Sequence, residues 1–169
     1  MISLRLATLD DFEFFYNLKC EPSNVYWTGH GEKPNRESLY TFFSKAVENA
    51  QKKDTRKIFI VENENDKVGH LYIIPANDGN SFELAPAISE KYCGRGYARQ
   101  VIEQGLELGR RYGYKRLFTS IREDNIASIK AFASCGVKIL TDYRMIYIPQ
   151  LQKEVRMYFV EKELRDEND

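Results

Sequence analysis

The chain has 169 residues, of which 43% are hydrophobic and 30% charged, enough to bury about two-thirds of the surface its unfolded form exposes. Lys plus Arg and Asp plus Glu both number 25, a balance that argues against nucleic-acid binding, which rests on concentrated positive charge. Cys20, Cys93 and Cys135 form no C-x-x-C pair, no apolar run approaches the roughly 18 residues of a membrane span, and Met1 to Asp11 lacks a signal-peptide pattern; the expectation is a cytoplasmic protein without a zinc site, a disulfide framework or a membrane anchor.

Ile2 to Leu6 alternates apolar and polar residues and predicts a half-buried strand. Thr8-Leu9-Asp10-Asp11 reads as a helix start, with Thr8 as N-cap, and Leu9, Phe12, Phe15 and Leu18 are expected to face the core. Glu21 to Asn35 holds two prolines, two glycines and the only tryptophan, Trp27, which predicts a long loop. A second helix is predicted over Arg36 to Gln51, with Leu39, Phe42, Phe43, Ala46, Val47 and Ala50 on one stripe. Lys57 to Glu62 and Val68 to Ile74 read as strands around the polar turn Asn63 to Lys67, and Asn77-Asp78-Gly79-Asn80 is a hairpin signal leading to a strand over Phe82 to Ile88.

Cys93-Gly94-Arg95-Gly96-Tyr97-Ala98 follows that strand and opens an amphipathic helix from Ala98 to Tyr112. Ala98, Val101, Ile102, Gly105, Leu106 and Gly109 form its buried face, and Gly113 is placed to end it. A glycine turn entering a helix leaves backbone N–H groups unpaired at the positive end of the helix dipole, which makes an anion site as well as an ordinary turn. Leu117 to Ile121 is a short buried strand, and Asn125 to Ser134 a short helix ending at Gly136. Val137 to Ile148 and Val155 to Lys162 are final strands around the turn Pro149 to Glu154, and the acidic tail Glu163 to Asp169 is expected to fray. Strands that alternate with helices predict parallel neighbours in the second half, and hairpins predict antiparallel pairing in the first. A ligand is expected at the carboxyl ends of the parallel strands.

Glu83, the turn Gly94-Arg95-Gly96-Tyr97-Ala98, and Asn125-Ile126-Ala127-Ser128 ahead of Phe132 and Gly136 together resemble the GNAT superfamily of acetyl-CoA-dependent N-acetyltransferases. The resemblance is most specific from Phe82 to Val137, and the element order extends it over nearly the whole chain. It implies an α/β fold: a mixed, twisted, largely antiparallel sheet of six to seven strands, with helices on both faces and a splayed central pair. It implies a single N-acetyltransferase domain over 1–169, with an acceptor-side half at about 1–75, an acetyl-CoA-binding core at about 81–140 and a C-terminal hairpin at 137–162. The family writes the turn Q/R-x-x-G-x-G/A; Gly96 and Ala98 match, and Cys93 replaces the leading residue.

The co-substrate implied is acetyl-CoA, with no metal. The amides of Arg95, Gly96, Tyr97 and Ala98 suit its pyrophosphate. Arg95 and Arg99 either add charge-assisted bonds to phosphate or are solvated surface arginines. The resemblance implies that the pantetheine arm pairs with the strand edge at Ala87 and Ile88, where relatives splay the sheet with a bulge, and Pro86 fits an edge or bulge position. It also implies cofactor contacts from Asn125 and Ser128, Asn125 being equally suited to cap the short helix. Glu83 stands where many relatives place the general base, and an N–H near Ala87 suits the oxyanion. Where relatives carry a tyrosine acid this chain has Phe132; Tyr143 and Tyr147 are candidate substitutes, and thiolate release without an acid is chemically tolerable. Cys135 reads as a buried hydrophobe and His30 as a loop residue. Tyr26 and Trp27 either line a pocket for the acceptor or pack. The reading is acetyl transfer to a primary amine of a small molecule or peptide N-terminus by direct attack in a ternary complex, performed by a monomer or homodimer. The alternative is a non-catalytic acyl-CoA sensor using the same cleft, and a third possibility is another acyl donor, such as succinyl-CoA or an aminoacyl carrier.

Overall fold

The structure, a computed structural model, describes residues 1–165. Its elements in chain order are β1 (Ile2–Leu6), α1 (Phe12–Lys19), α2 (Pro22–Thr28), α3 (Arg36–Glu48), β2 (Lys57–Asn63), β3 (Asp66–Pro75), β4 (Ser81–Ile88), α4 (Tyr97–Arg111), β5 (Arg116–Arg122), α5 (Ile126–Ser134), β6 (Lys138–Ile148) and β7 (Lys153–Glu163). Single turns of 3-10 helix at Leu9–Asp11 and Glu90–Tyr92 precede α1 and follow β4. No helix among the described residues is long and apolar enough to cross a membrane.

The strands form one seven-stranded sheet in the order β1-β2-β3-β4-β5-β7-β6. The pairs are antiparallel except β4 with β5, which are parallel and joined by α4. That parallel pair is held only at Ser81↔Arg116 and Phe82↔Leu117; beyond it the strands diverge. The predicted parallel neighbours are therefore limited to this pair, because β7 inserts between β5 and β6 and converts the remainder to antiparallel.

The period-2 alternation of the central strands divides the core between the two faces. On one face, Phe59, Leu71, Ile73, Phe82, Leu84 and Leu117 pack with Val101, Ile102 and Leu106 of α4 and Phe132 of α5. On the other, Ile58, Ile60 and Tyr72 pack with Phe12 and Phe15 of α1 and Phe43 of α3. Gly113 and Gly136, at φ +90° and +78°, end α4 and α5 as the sequence predicts.

Several expectations are corrected. Glu21 to Asn35 is not all loop, since α2 occupies its first half. Leu9 is exposed, because it lies in the 3-10 turn before α1 and outside that helix's periodicity. The helix from Arg36 ends at Glu48, where Asn49 donates from its side chain to Lys45 C=O and closes the last turn. The bulge expected at Pro86 is absent, since β4 keeps uniform register against β3 and the shift lies at Val61/Glu62 between β2 and β3. Of the tail expected to fray, Glu163 belongs to β7 and pairs with Arg116, and residues 166–169 lie outside the described residues.

Candidate active site

The gap between β4 and β5 opens next to Glu83, the first residue beyond the last paired position. Thr119 of β5 donates a hydrogen bond to its carboxylate across the gap at 3.3 Å. The backbone of β4 beyond this point is divided by ladder phase. Ala76 N–H donates to Ser81 C=O at one end of the β3–β4 ladder, and Ser89 N–H to Val68 C=O at the other. Hydrogen-bonded pairs alternate along an antiparallel ladder, so residues 83, 85 and 87 commit their backbone groups to β3. Those of Leu84, Pro86 and Ile88 face the gap. Pro86, with no N–H, is tolerated there because it owes the ladder none. Ala87, singled out from sequence, has its N–H in the ladder, and the free donor beside it belongs to Ile88.

The turn leading into α4 lies beyond the end of β4. Gly94 and Gly96 hold φ of +79° and +77°, and a Cβ on either would meet open space, so conformation rather than room calls for glycine. Gly96 is the N-cap of α4 and offers no side-chain cap. The N–H groups of Arg95 through Ala98 make no bond to any described protein group. Four successive, unpartnered donors at the start of a 15-residue helix suit a diphosphate. The Tyr97 hydroxyl accepts from Asn63 Nδ2 at 3.0 Å, which turns that side chain toward the β2–β3 turn. Arg95 is exposed with its guanidinium 5.3 Å from the Tyr92 ring, while Arg99 pairs with Glu103 at 3.1 Å along the helix. Cys93, in place of the family's leading Gln or Arg, points back at Ser89 C=O (3.5 Å) and Ile88 C=O (3.7 Å) and ties the turn to β4. Burial raises its thiol pKa, which keeps the donor proton in place.

Across the gap, Asn125 caps α5, its Oδ1 accepting from Ser128 N–H at 3.2 Å. The capping role is therefore filled, and the Asn125 amide NH₂ and Ser128 hydroxyl have no protein partner among the described residues. Just before it, Arg122 is only 4% exposed and forms a two-bonded pair with Asp124 at 2.8 and 3.0 Å. Burial opposes the charge on Asp124, but hydrogen bonds from Arg122 hold its carboxyl below the ordinary value. The same guanidinium lies 4.7 Å from the Tyr26 ring and 4.8 Å from Trp27, and donates to Tyr26 C=O at 2.8 Å. Tyr26 and Trp27 thus do pack, edge to face at 4.7 Å, on a buried cation.

These contacts stretch α2 across the mouth of the gap. Its first turn is bound to the end of β4, where Glu21 accepts from Glu90 N–H and Ser89 Oγ, and Glu90 accepts from Ser23 N–H, each at 2.8 Å. Its second half is bound to the end of β5 through Arg122 and Asp124. Beside it lies a cavity of about 630 Å³ among α1, α2, the segment 29–35 and α3, with Tyr72 in its wall. Tyr72 is the cross-strand partner of Ala85, two residues from Glu83.

The predicted residues thus converge on one cleft: Glu83 at its apex, Ile88 on one wall, the turn 95–98 at one rim and Asn125 with Ser128 at the other. Arg99 is turned away, toward Glu103, and Ala87 directs its backbone to β3. Sequence reasoning missed Thr119, Arg122, Asp124 and Lys19. The charged triplet Arg122-Glu123-Asp124 closing an apolar strand was a usable signal for two of them, and Lys19, four residues after Phe15 on the apolar stripe, was another.

Residues 2–138 match a family model described as the acetyltransferase (GNAT) domain. No match is found among curated protein sequences. Among solved structures, the spermidine N-acetyltransferase from Vibrio cholerae in complex with CoA and spermine superposes with a TM-score of 0.84 at 16% identity, covering 96% of this chain and 95% of that one. An aminoglycoside acetyltransferase, AAC(6')-Ib, in complex with coenzyme A gives 0.77 at 14%, covering 96% and 95%. A GNAT-family acetyltransferase from Bacillus anthracis gives 0.79 at 16%, covering 96% and 94%. The structural likenesses establish the fold, the family match spans most of the sequence, and the chain belongs to the GNAT acetyltransferase family.

Proposed function

We propose that the chain transfers an acetyl group from acetyl-CoA to a primary amine of a small molecule or peptide N-terminus, by direct attack in a ternary complex. The observation that carries this is the pairing of free edges on one cleft: β4 groups without a ladder partner at Leu84, Pro86 and Ile88, and amides without a cap at residues 95–98. The first offers a strand-like partner to an amide-bearing pantetheine arm, and the second an anion site for the pyrophosphate. Asn125 and Ser128 keep polar groups free toward the same space. Relatives in complex with CoA support the choice of co-substrate. On this reading the molecule is a single transferase domain, its acceptor side at about 1–75, its acetyl-CoA core at about 81–140 and its final hairpin at 137–162.

Glu83 takes the proton from the bound ammonium, directly or through one water, and Thr119 steadies its carboxylate. The freed nitrogen attacks the thioester carbonyl, and Ile88 N–H donates to the oxygen as negative charge builds there. Collapse forms the amide, passes the second proton of the attacking nitrogen to water and breaks the C–S bond. Phe132 is 2% exposed within the core, so it supplies packing and no proton, and the sulfur leaves as thiolate. Tyr26 and Trp27, held over Arg122, form the acceptor-side wall.

Thiol release from acetyl-CoA over an amine panel tests this. Glu83→Gln is expected to lower kcat by about 10²- to 10⁴-fold while acetyl-CoA binds unchanged. Full turnover by that variant removes Glu83 from the mechanism. The packed Phe132 also fits a sensor that binds acyl-CoA without chemistry; acetyl-CoA binding with no thiol release for any amine selects that reading.

A further inference from the structure

The cavity beside α2 has an unbalanced lining. Lys19, Lys33 and Arg56 contribute to it, with Glu32 as the one carboxylate among its described residues. Neither Lys19 nor Arg56 has an acidic partner among the described residues. The Lys19 ammonium instead lies 4.8 Å from the centre of the Tyr72 ring and 5.8 Å from Phe15. The Arg56 guanidinium lies 5.0 Å from Phe42 and 5.5 Å from the same Tyr72 ring. Two cations thus share one aromatic ring in a recess whose single lining carboxylate, Glu32, pairs with neither. Aromatic faces return only part of the hydration that an ammonium loses. Burial, reinforced by Arg56, pushes the Lys19 pKa down to about 8. Asp11, Glu62 and Asp124 lie outside the lining and are engaged by other cations: Asp11 by Arg5 and Lys67, Glu62 by Arg5, and Asp124 by Arg122.

We infer that the acceptor amine bears an acidic group, a carboxylate or a phosphate, which seats between Lys19 and Arg56 as their missing counter-ion. The inference rests on the transferase reading for the reaction, and on the cavity alone for the anion. The geometry agrees with the chemistry, since Tyr72 stands across from Ala85, two residues from Glu83, so the acid is bound on the side from which the amine reaches the thioester. A volume of about 630 Å³ suits a metabolite-sized ligand. A polycation such as spermine would add charge to a recess already in excess.

The experiment measures binding of matched amines to the protein with CoA present, by calorimetry or Trp27 fluorescence. Tyrosine against tyramine and histidine against histamine report a carboxylate, and O-phosphoethanolamine against ethanolamine reports a phosphate. Spermine is the polycation control. The acidic member of at least one pair is expected to bind about tenfold tighter or better. Lys19→Met and Arg56→Gln are each expected to remove most of that preference, by raising KM with little change in kcat where turnover is seen. Arg56 is exposed, so its variant folds even if Lys19→Met does not. Equal binding within every pair, tighter binding of spermine, a preference that survives both substitutions, or no binding by any compound overturns the inference. Acid-selective binding without thiol release refutes the transferase reading and leaves the anion site standing. Thiol release without acid preference does the reverse.

Discussion

His70 lies in the core between Phe15 and Tyr72, 1% exposed, and neither ring nitrogen has a hydrogen-bond partner. Burial, with a contribution from Lys19, holds its pKa well below the ordinary value. The imidazole is therefore neutral in the folded chain, whereas the unfolded chain protonates it below about pH 6.5. The unfolded state then binds the extra proton, so stability falls as pH drops through that value. His70→Phe fits the same aromatic stack and removes two unsatisfied atoms, which is worth about 1 kcal/mol at pH 7. In a chain of this length that is about 2–4 °C in Tm, and the variant's advantage is expected to widen between pH 7 and 5. An advantage independent of pH would mean that His70 takes up its proton equally in the folded and unfolded chains, against its burial. Histidine at position 70 gives no sign of this in the sequence, because its isolation comes from three elements closing around it. Glu83 was singled out through the family resemblance, and what the structure adds is its place just beyond the last β4–β5 pair.

At the scale of elements, α4 follows the turn proposed to hold the anion, and its seating on the sheet decides where that turn points. A Cβ at Gly109 would collide with the Phe82 ring, while one at Gly105 would meet only leucine methyls at 3.0 to 3.1 Å. Helix propensity favours alanine at both positions by up to about 1 kcal/mol, but overpacking against a buried ring costs about 1–3 kcal/mol. Gly109→Ala is therefore expected to lower Tm, and Gly105→Ala to change it less. Thermal melts of the two variants decide the matter, and equal stability of Gly109→Ala and the parent would refute the close approach. The amphipathic stripe of α4 made it readable in advance. By contrast α2 was hidden, because Pro22, Gly29, Gly31 and Pro34 together resemble loop composition. Two of those residues are its punctuation: Pro22 opens the helix, and Gly29 closes it at φ +74°. Its seven residues are too few to display a period, and its stability comes from Glu90 at one end and Arg122 at the other.

For the whole molecule, the fold leaves the β5-facing edge of β4 unpaired beyond Phe82 and α4 without a side-chain cap at Gly96, and the chain joins the two through Cys93, whose thiol reaches back to Ile88 C=O. Strand order was partly legible, since hairpins join β2, β3 and β4, but the insertion of β7 between β5 and β6 depends on a return across the sheet that local sequence does not encode. A ligand that fills both edges stabilises the folded state by mass action, by about 2.7 kcal/mol at about 100 times its Kd, which corresponds to about 5–10 °C in Tm. Acetyl-CoA is expected to produce that rise. Gly96→Val separates this effect from general damage. Its Cβ would collide with nothing, but a φ of +77° costs a side-chain-bearing residue about 1–2 kcal/mol, and relief of that strain would swing the amides of residues 95–98 out of place. The expected result is a ligand-free Tm lowered by a few degrees together with loss of the acetyl-CoA increment. If the valine variant keeps the full increment, the cofactor is held elsewhere and the turn is only a connection between β4 and α4.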